Sequence, residues 1–113
     1  MASKLFQIIE YLSLLEPEIL AYVGHDSKDE GTFINKYNGS NTDCTGKVLS
    51  LQLMVKRFGK NNIYAYEKAE TDARYILRKI KEKFTVVNDK EIPLGKENNS
   101  YVYIINFDTY EEV

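Results

Sequence analysis

The sequence predicts an α+β fold in which a helical N-terminal part precedes a module of two helices and a β-hairpin. Between residues 47 and 84, apolar residues recur at helical spacing. After Phe84 the period changes, and β-branched and aromatic residues dominate 85–87 and 101–107. A length of 113 residues fits one domain, which divides into 1–46, 47–107 and a short acidic tail, 108–113.

The first predicted element is a helix over residues 3–15, with Ser3 as an acceptable N-cap. One side of this helix is apolar, formed by Leu5, Ile8, Ile9, Leu12 and Leu15. This stripe belongs either to the core of the chain or to a homodimer seam made by Leu5, Ile8, Leu12 and Leu15. Pro17 either ends this helix or starts a second short one over 17–23, which Gly24 then stops.

Residues 24–46 are expected to be the least regular part, with 32–34 as a short strand or turn, because Gly, Asn, Asp and Ser are dense there. The only cysteine and the only histidine of the chain lie in this segment, and neither has a recognisable catalytic partner. A calcium-loop spacing starting at Asp26 fails, because Lys28 and Tyr37 stand at ligand positions. We therefore expect no metal and no cofactor.

Residues 48–58 are predicted to form an amphipathic helix. Val48, Leu51, Val55 and Phe58 fall on one stripe, and Gly59 suits the C-cap because it adopts the left-handed conformation readily. The three residues 60–62 are then expected to turn the chain.

A longer helix is predicted from residue 62 or 63 to Phe84, either continuous or interrupted before Thr71. Its buried stripe would consist of Tyr66, Ala69, Ala73, Ile76, Leu77, Ile80 and Phe84. The opposite face is polar, aromatic and basic, with Tyr64, Lys68, Thr71, Tyr75 and Arg78, and with Arg74 on its flank. Such a face suits phosphates and base edges, and a solvated helix surface has the same composition.

The last segment predicts a β-hairpin. Residues 88–90 and 95–99 are turn-like, and Pro93 suits an edge position. Residues 101–107 are expected to form a strand with both faces partly covered, and the acidic tail 108–113 is expected to be frayed.

Positive charge is concentrated in the central part of the chain, although the net charge is −2. Residues 47–97 hold twelve Lys and Arg against seven Asp and Glu, a balance of +5. Residues 1–46 and 98–113 are negative, at −4 and −3. A basic module inside an acidic chain is compatible with a nucleic-acid partner.

The order of helix, Gly-closed turn, second helix and hairpin resembles the winged helix-turn-helix superfamily. The segments that carry the resemblance are 51–59, 73–84 and 85–107. It implies that the second helix enters the major groove of duplex DNA and that the tip of the hairpin contacts the DNA backbone or the minor groove. Small proteins of this kind are most often transcriptional regulators.

The resemblance also implies a set of DNA-binding residues. Phosphates would be neutralised by Lys56, Arg57, Lys60, Arg74, Arg78, Lys90 and Lys96. Bases would be within reach of Asn61, Asn62, Tyr64, Thr71 and Tyr75.

The alternative function is a non-enzymatic module that binds a protein, such as a phage- or mobile-element-type inhibitor. The net negative charge and the nine tyrosines favour it, with Tyr64 and Tyr75 as anchors. An enzyme is not expected, because no Gly-rich phosphate loop, metal-ligand spacing or paired carboxylates are present. Without a bilayer-length apolar run, a signal peptide or paired cysteines, the expected location is the cytoplasm.

Overall fold

An antiparallel sheet with two helices is the framework of the chain. The computed structural model describes residues 4–15, 21–22, 31–36, 41–43, 46–59, 63–97 and 99–111. The helices are α1 (Lys4–Leu15) and α2 (Ile63–Lys83). The strands are β1 (Ala21–Tyr22), β2 (Gly31–Lys36), β3 (Asn41–Asp43), β4 (Gly46–Phe58), β5 (Val87–Glu97) and β6 (Ser100–Glu111).

Four long strands lie in the order β2-β4-β6-β5, and every neighbouring pair among them is antiparallel. The short strand β1 extends the sheet by pairing in parallel with β2, and β3 pairs with the beginning of β4. Strand β4 is therefore a central strand, hydrogen-bonded to β2 on one side and to β6 on the other.

The fold class predicted from the sequence is wrong at this central strand. Residues 48–58 form most of β4 rather than the first helix of a helix-turn-helix, and the described part of the chain contains only α1 and α2 as helices. Gly59 follows a strand and donates its N–H to the carbonyl oxygen of Asn99 at 3.0 Å, instead of capping a helix. The module expected over 47–107 is thus replaced by a mixed helix-and-sheet arrangement.

The reason for this error lies in the apolar period of β4. Alternate residues Leu49, Leu51, Leu53 and Val55 are all buried against the helices. This period of two is the pattern of a strand with one face in the core. Phe58, the last residue of the supposed helical stripe, is 58% exposed.

The prediction of the second helix is confirmed, and α2 is continuous from Ile63 to Lys83. Its buried residues are Ala65, Ala69, Ala73, Ile76, Leu77 and Ile80. Small alanines at the start of this stripe allow the helix to approach β4 and β6 closely. On the outer face Tyr64, Thr71 and Arg78 are exposed, whereas Tyr75 is half-buried and packs against the core.

The apolar stripe of α1 belongs to the same core. Leu5, Ile8 and Leu12 are buried together with residues of α2, β4 and β6. These three side chains are buried within the chain, so they do not form an exposed surface for a homodimer. The side chain of Leu15, the fourth residue proposed for that seam, lies outside the described part of the structure.

Several predictions for the loops and for the C-terminal segment are corrected. The segment 24–46 contributes β2, β3 and the first residue of β4, and residues 21–22, expected in a helix, pair as strand β1. The expected turn at 88–90 lies within β5, where Asn88 adopts a φ of 55°. The tail expected to be frayed is paired with β4 as far as Glu111, because β6 continues to that residue. The remainder of the short helix predicted over 17–23 falls outside the described residues.

Both helices pack on the same face of the sheet. The opposite face, here called the helix-free face because no described helix covers it, has a smaller apolar cluster of Phe33, Met54, Val102 and Ile104. The Phe33 ring lies directly over Gly31, where an added Cβ would come within 2.8 Å of the ring atom Cζ. A larger residue at position 31 would therefore displace the Phe33 ring.

Candidate functional site

The basic residues predicted to bind DNA do not form one surface. Lys56 and Arg57 are neighbours on β4, so their side chains leave opposite faces of the sheet. Lys56 lies on the helix-free face and is only 5% exposed. Lys90 and Lys96 lie on strand β5, both exposed. Lys60, Asn61 and Asn62 fall outside the described residues.

Arg57 is a buried connector between three elements. Its Nε donates to Oδ2 of Asp72 on α2 at 2.8 Å. One terminal nitrogen donates to the carbonyl oxygens of Gly31 and Lys56, at 3.2 and 2.9 Å, and the other donates to Oγ1 of Thr32 at 3.4 Å. With its donors used inside the chain, Arg57 is not available for a phosphate.

Arg74 is held by two carboxylates. Its Nη1 lies 2.7 Å from Oε1 of Glu70, one helical turn earlier. Its Nε and Nη2 donate to the two carboxylate oxygens of Glu91 on β5, at 2.6 and 3.3 Å. This pair of hydrogen bonds, here called the Arg74–Glu91 fork, joins the outer side of α2 to β5, the edge strand of the sheet.

The charges around Arg74 shift the titration of its neighbours. The hydrogen bond from Arg74 is the main reason that the pKa of Glu91 is lowered, and the same bond raises the pKa of Arg74. Burial, followed by the charge of Glu91, raises the pKa of Tyr103, whose hydroxyl group also bonds to Glu91. Glu91 is therefore kept ionised and hydrogen-bonded to Arg74 and Tyr103.

A groove of about 380 Å³ runs between α2 and β5. Its lining residues are Arg74, Leu77, Arg78, Lys81, Asp89 and Glu91. Lys81 lies 3.4 Å from Oδ2 of Asp89, so two of the three cations here contact carboxylates. Arg78 instead lies over the ring of Tyr75, with its guanidinium carbon 5.5 Å from the ring centre. Of the predicted site, the structure thus brings Arg74 and Arg78 together in this groove, with Tyr75 against Arg78, and the groove also contains the carboxylates of Asp89 and Glu91.

A second feature is an exposed apolar area where β4 ends and α2 begins. The side chains of Phe58, Ile63 and Tyr64 are 58%, 74% and 70% exposed. Next to them, Tyr66 packs edge-to-face on Tyr101 at 5.7 Å between ring centres. We call the set Ile63, Tyr64, Tyr66 and Glu67 the α2-start surface, and Phe58 is not part of it, because its side chain leaves the face of the sheet opposite to Arg57 and α2.

The α2-start surface includes a cleft of about 400 Å³. Its lining residues are Ile63, Tyr66, Glu67, Glu70 and Thr71. The sequence predicts Tyr64 and Thr71 as exposed residues of α2, but it does not predict the exposure of Phe58, which is assigned to a buried helical stripe. The signal that could have found it is the alternation of β4, which places Phe58 one step beyond the core on the opposite face from Arg57.

The described residues contain no group of three or more His, Cys, Asp or Glu side chains placed to hold a metal ion. Among the described helices, none has both the length and the apolar character needed to cross a membrane. Comparison with known proteins gave no significant match to a family model, to a curated protein or to a solved structure. No match therefore bears on the resemblance to the winged helix-turn-helix superfamily.

Proposed function

We propose that this chain is a non-enzymatic protein-interaction module that binds its partner through the α2-start surface. The observation that carries the proposal is the exposure of two large side chains, Ile63 and Tyr64, at the start of α2, where Ile63 also lines a cleft. Tyrosine and large aliphatic side chains around a cleft are typical anchors of protein interfaces. A small inhibitor of phage or mobile-element type has this character.

The state of the cations supports the same proposal. Among the basic side chains of α2, Lys68, Arg74, Lys79 and Lys81 each contact a carboxylate of the chain within 4.0 Å. These four cations are thus occupied by local ion pairs, although the balance of +5 for residues 47–97 already counts their carboxylate partners. A polyanionic partner would have to compete with these carboxylates for each cation.

The proposal is tested by comparing wild-type chain with the variants Ile63→Asp and Tyr64→Ala as immobilised baits in a lysate of the cells that produce it. A protein retained by the wild type is identified, purified and titrated by calorimetry. Loss of an interface anchor is expected to weaken its binding at least about tenfold, which corresponds to about 1.4 kcal/mol.

The matched control is Leu14→Asp, a change at another exposed apolar side chain, on α1. This variant is expected to bind the partner as the wild type does. The proposal fails if the partner binds Ile63→Asp and Tyr64→Ala with unchanged affinity, or if Leu14→Asp weakens binding to the same extent.

Duplex DNA binding is the second candidate function, and Arg78 is the observation in its favour. Its exposed guanidinium lies over Tyr75 rather than against a described carboxylate, at the mouth of the groove between α2 and β5. If this function holds, affinity should fall with salt, with a log–log slope of about −4 to −5 for about five neutralised phosphates. Arg78→Ala should then reduce the slope by about one unit. The absence of duplex binding at about 50 mM salt would eliminate this candidate.

A cytoplasmic location forms part of the proposal. It is supported by the cysteine content, because a single cysteine gives no intrachain disulfide. Fractionation of the producing cells provides the measurement.

A further inference from the structure

The helix-free face carries a row of polar side chains that crosses all four long strands. The register places Asn35 opposite Gln52, Gln52 opposite Asn106, and Asn106 opposite Lys90. Their sequence neighbours Ile34, Leu53 and Ile105 are in the core beneath the helices, so the row lies on the other face. With neighbouring strands 4.7–4.9 Å apart, the row is about 14 Å long.

A hydrogen-bonded group borders this row. Asp108 accepts hydrogen bonds from Oγ of Ser50 at 2.7 Å and from Nδ2 of Asn88 at 3.1 Å. Beyond it on the same face, Tyr110 stands opposite Val48 and is 38% exposed. The row therefore lies beside a fixed carboxylate, and a partly exposed aromatic ring follows about 13 Å further along β6.

The amide of Asn106, inside the row, is incompletely satisfied. Its Oδ1 atom is buried and accepts no hydrogen bond from the described residues. Buried acceptors normally have a partner, and asparagine is depleted in strands, so folding alone does not favour an amide here. A scaffold position of this kind, in the interior of β6, would ordinarily be apolar.

We propose that this polar row is a binding site for a neutral carbohydrate. Primary amides offer both donors and acceptors, as sugar hydroxyl groups require, and the Tyr110 ring offers an apolar face to sugar C–H groups. The charges of Lys90 and Asp108 cancel, so the site does not select a polyanion such as nucleic acid. A protein interface would be expected to have large anchoring side chains along the row, and the row consists of amides and one lysine.

The experiment is a two-dimensional NMR titration of the ¹⁵N-labelled chain with maltotriose, cellotriose and N,N′,N″-triacetylchitotriose. Concentrations up to about 10 mM cover dissociation constants near about 1 mM. The side-chain amide signals of Asn35, Gln52 and Asn106 report directly on the row. At least one trisaccharide is expected to shift them together, while signals of Ile63 and Tyr64 remain unchanged.

Two variants test whether the amides themselves bind. Asn106→Leu is expected to weaken the trisaccharide at least tenfold while leaving the melting temperature unchanged or higher, because it removes a buried acceptor without a partner. Gln52→Ala should also weaken it. The matched control is Asn99→Ala, at an exposed asparagine in the turn before β6, which should bind as the wild type does.

The proposal is overturned if none of the three sugars shifts the amide signals of the row. It is equally overturned if Asn106→Leu binds normally, or if a protein or duplex DNA shifts these signals when no sugar does. A marked fall in melting temperature for Asn106→Leu, with Gln52→Ala binding normally, would make the Asn106 amide a structural group and would also overturn it.

Discussion

At the scale of single residues, Arg57 shows how burial decides the role of a charge. From the sequence it is one of several cations available to phosphate, yet the structure surrounds it with a carboxylate, two carbonyl oxygens and a hydroxyl group. A buried ion costs several kcal/mol to desolvate, so it is retained only where each donor is satisfied. Arg57 thus connects β2, β4 and α2.

Replacement of its carboxylate partner should therefore be costly. Asp72→Ala leaves the Arg57 guanidinium buried without a counter-charge. We expect the free energy of unfolding to fall by about 2–3 kcal/mol. This is less than the loss for a wholly buried ion pair, because Asp72 is partly exposed to solvent. Urea denaturation measures this change. Glu82→Ala is the matched control on the same helix, because Glu82 makes an exposed contact with Lys79 at 3.6 Å, and it should cost no more than about 0.5 kcal/mol. Equal losses in the two variants would contradict a special role for Arg57.

At the scale of elements, α2 contacts both the central strands β4 and β6 and the edge strand β5. Its inner stripe covers β4 and β6, and on its outer side the Arg74–Glu91 fork attaches the edge strand β5. An edge strand has a neighbour on one side only, so contacts with a helix compensate for the missing strand. The packing of α2 and the pairing of β5 are consequently linked.

The inner stripe supplies a stability prediction. Ile80 is completely buried, so Ile80→Ala should leave a cavity and lower the free energy of unfolding by about 2–5 kcal/mol. Ile63→Ala removes the same atoms from an exposed position of the same helix, and it should change stability by no more than about 0.5 kcal/mol. Chemical denaturation of both variants gives the comparison. A small effect of Ile80→Ala would place that side chain outside the core.

The fork supplies a pH prediction. The pKa of Glu91 is lowered in the folded chain from an ordinary value of 4.5. The stabilisation that ionised Glu91 gives to the folded chain is therefore fully present above pH 4.5. It is lost as the pH falls through the lower pKa that Glu91 has in the folded chain. Glu91→Gln should reduce the loss of melting temperature on acidification, whereas Glu97→Gln, near the end of the same strand, should leave it unchanged. If Glu91→Gln had the wild-type acid profile, the fork would not contribute.

Elements with one unambiguous period could be predicted from the sequence, and those with two competing periods could not. α1 and α2 were recognised because their stripes recur only at helical spacing. For β4 the sequence offers two patterns: Val48, Leu51, Val55 and Phe58 recur at helical spacing, while Leu49, Leu51, Leu53 and Val55 alternate as in a strand. Long-range pairing with β2 and β6 decided between them, and one sequence window contains no information on such partners. The polar row could not be foreseen for the same reason.

At the scale of the whole molecule, the two central strands hold the structure together. β4 is paired along its length with β6, in a register from Lys47 opposite Glu111 to Phe58 opposite Ser100. β6 also pairs with β5, and β4 with β2. The amides of β4 and β6 are therefore bonded on both sides of each strand.

Hydrogen exchange should reveal this hierarchy. We expect the slowest amide exchange in β4 and β6, at rates set by global unfolding, and faster exchange at the outward-facing amides of β5. Mass-spectrometric exchange on peptides covering 46–58, 87–97 and 100–111 measures it. Protection of β5 equal to that of β4 would indicate that a further strand or partner covers the edge.

The pairing of β4 with β6 also determines when the chain can fold during synthesis. Ser50 and Asp108 bond across 58 positions of sequence, and such non-local contacts are slow to form because a long loop must close first. While residues 63–97 are being translated, the edge of β4 that will pair with β6 has no partner. The leucines of β4 are then not yet fully buried. Until β6 has left the ribosome, the nascent chain exposes an aggregation-prone strand, and its first protection has to come from β2, α1 or a chaperone.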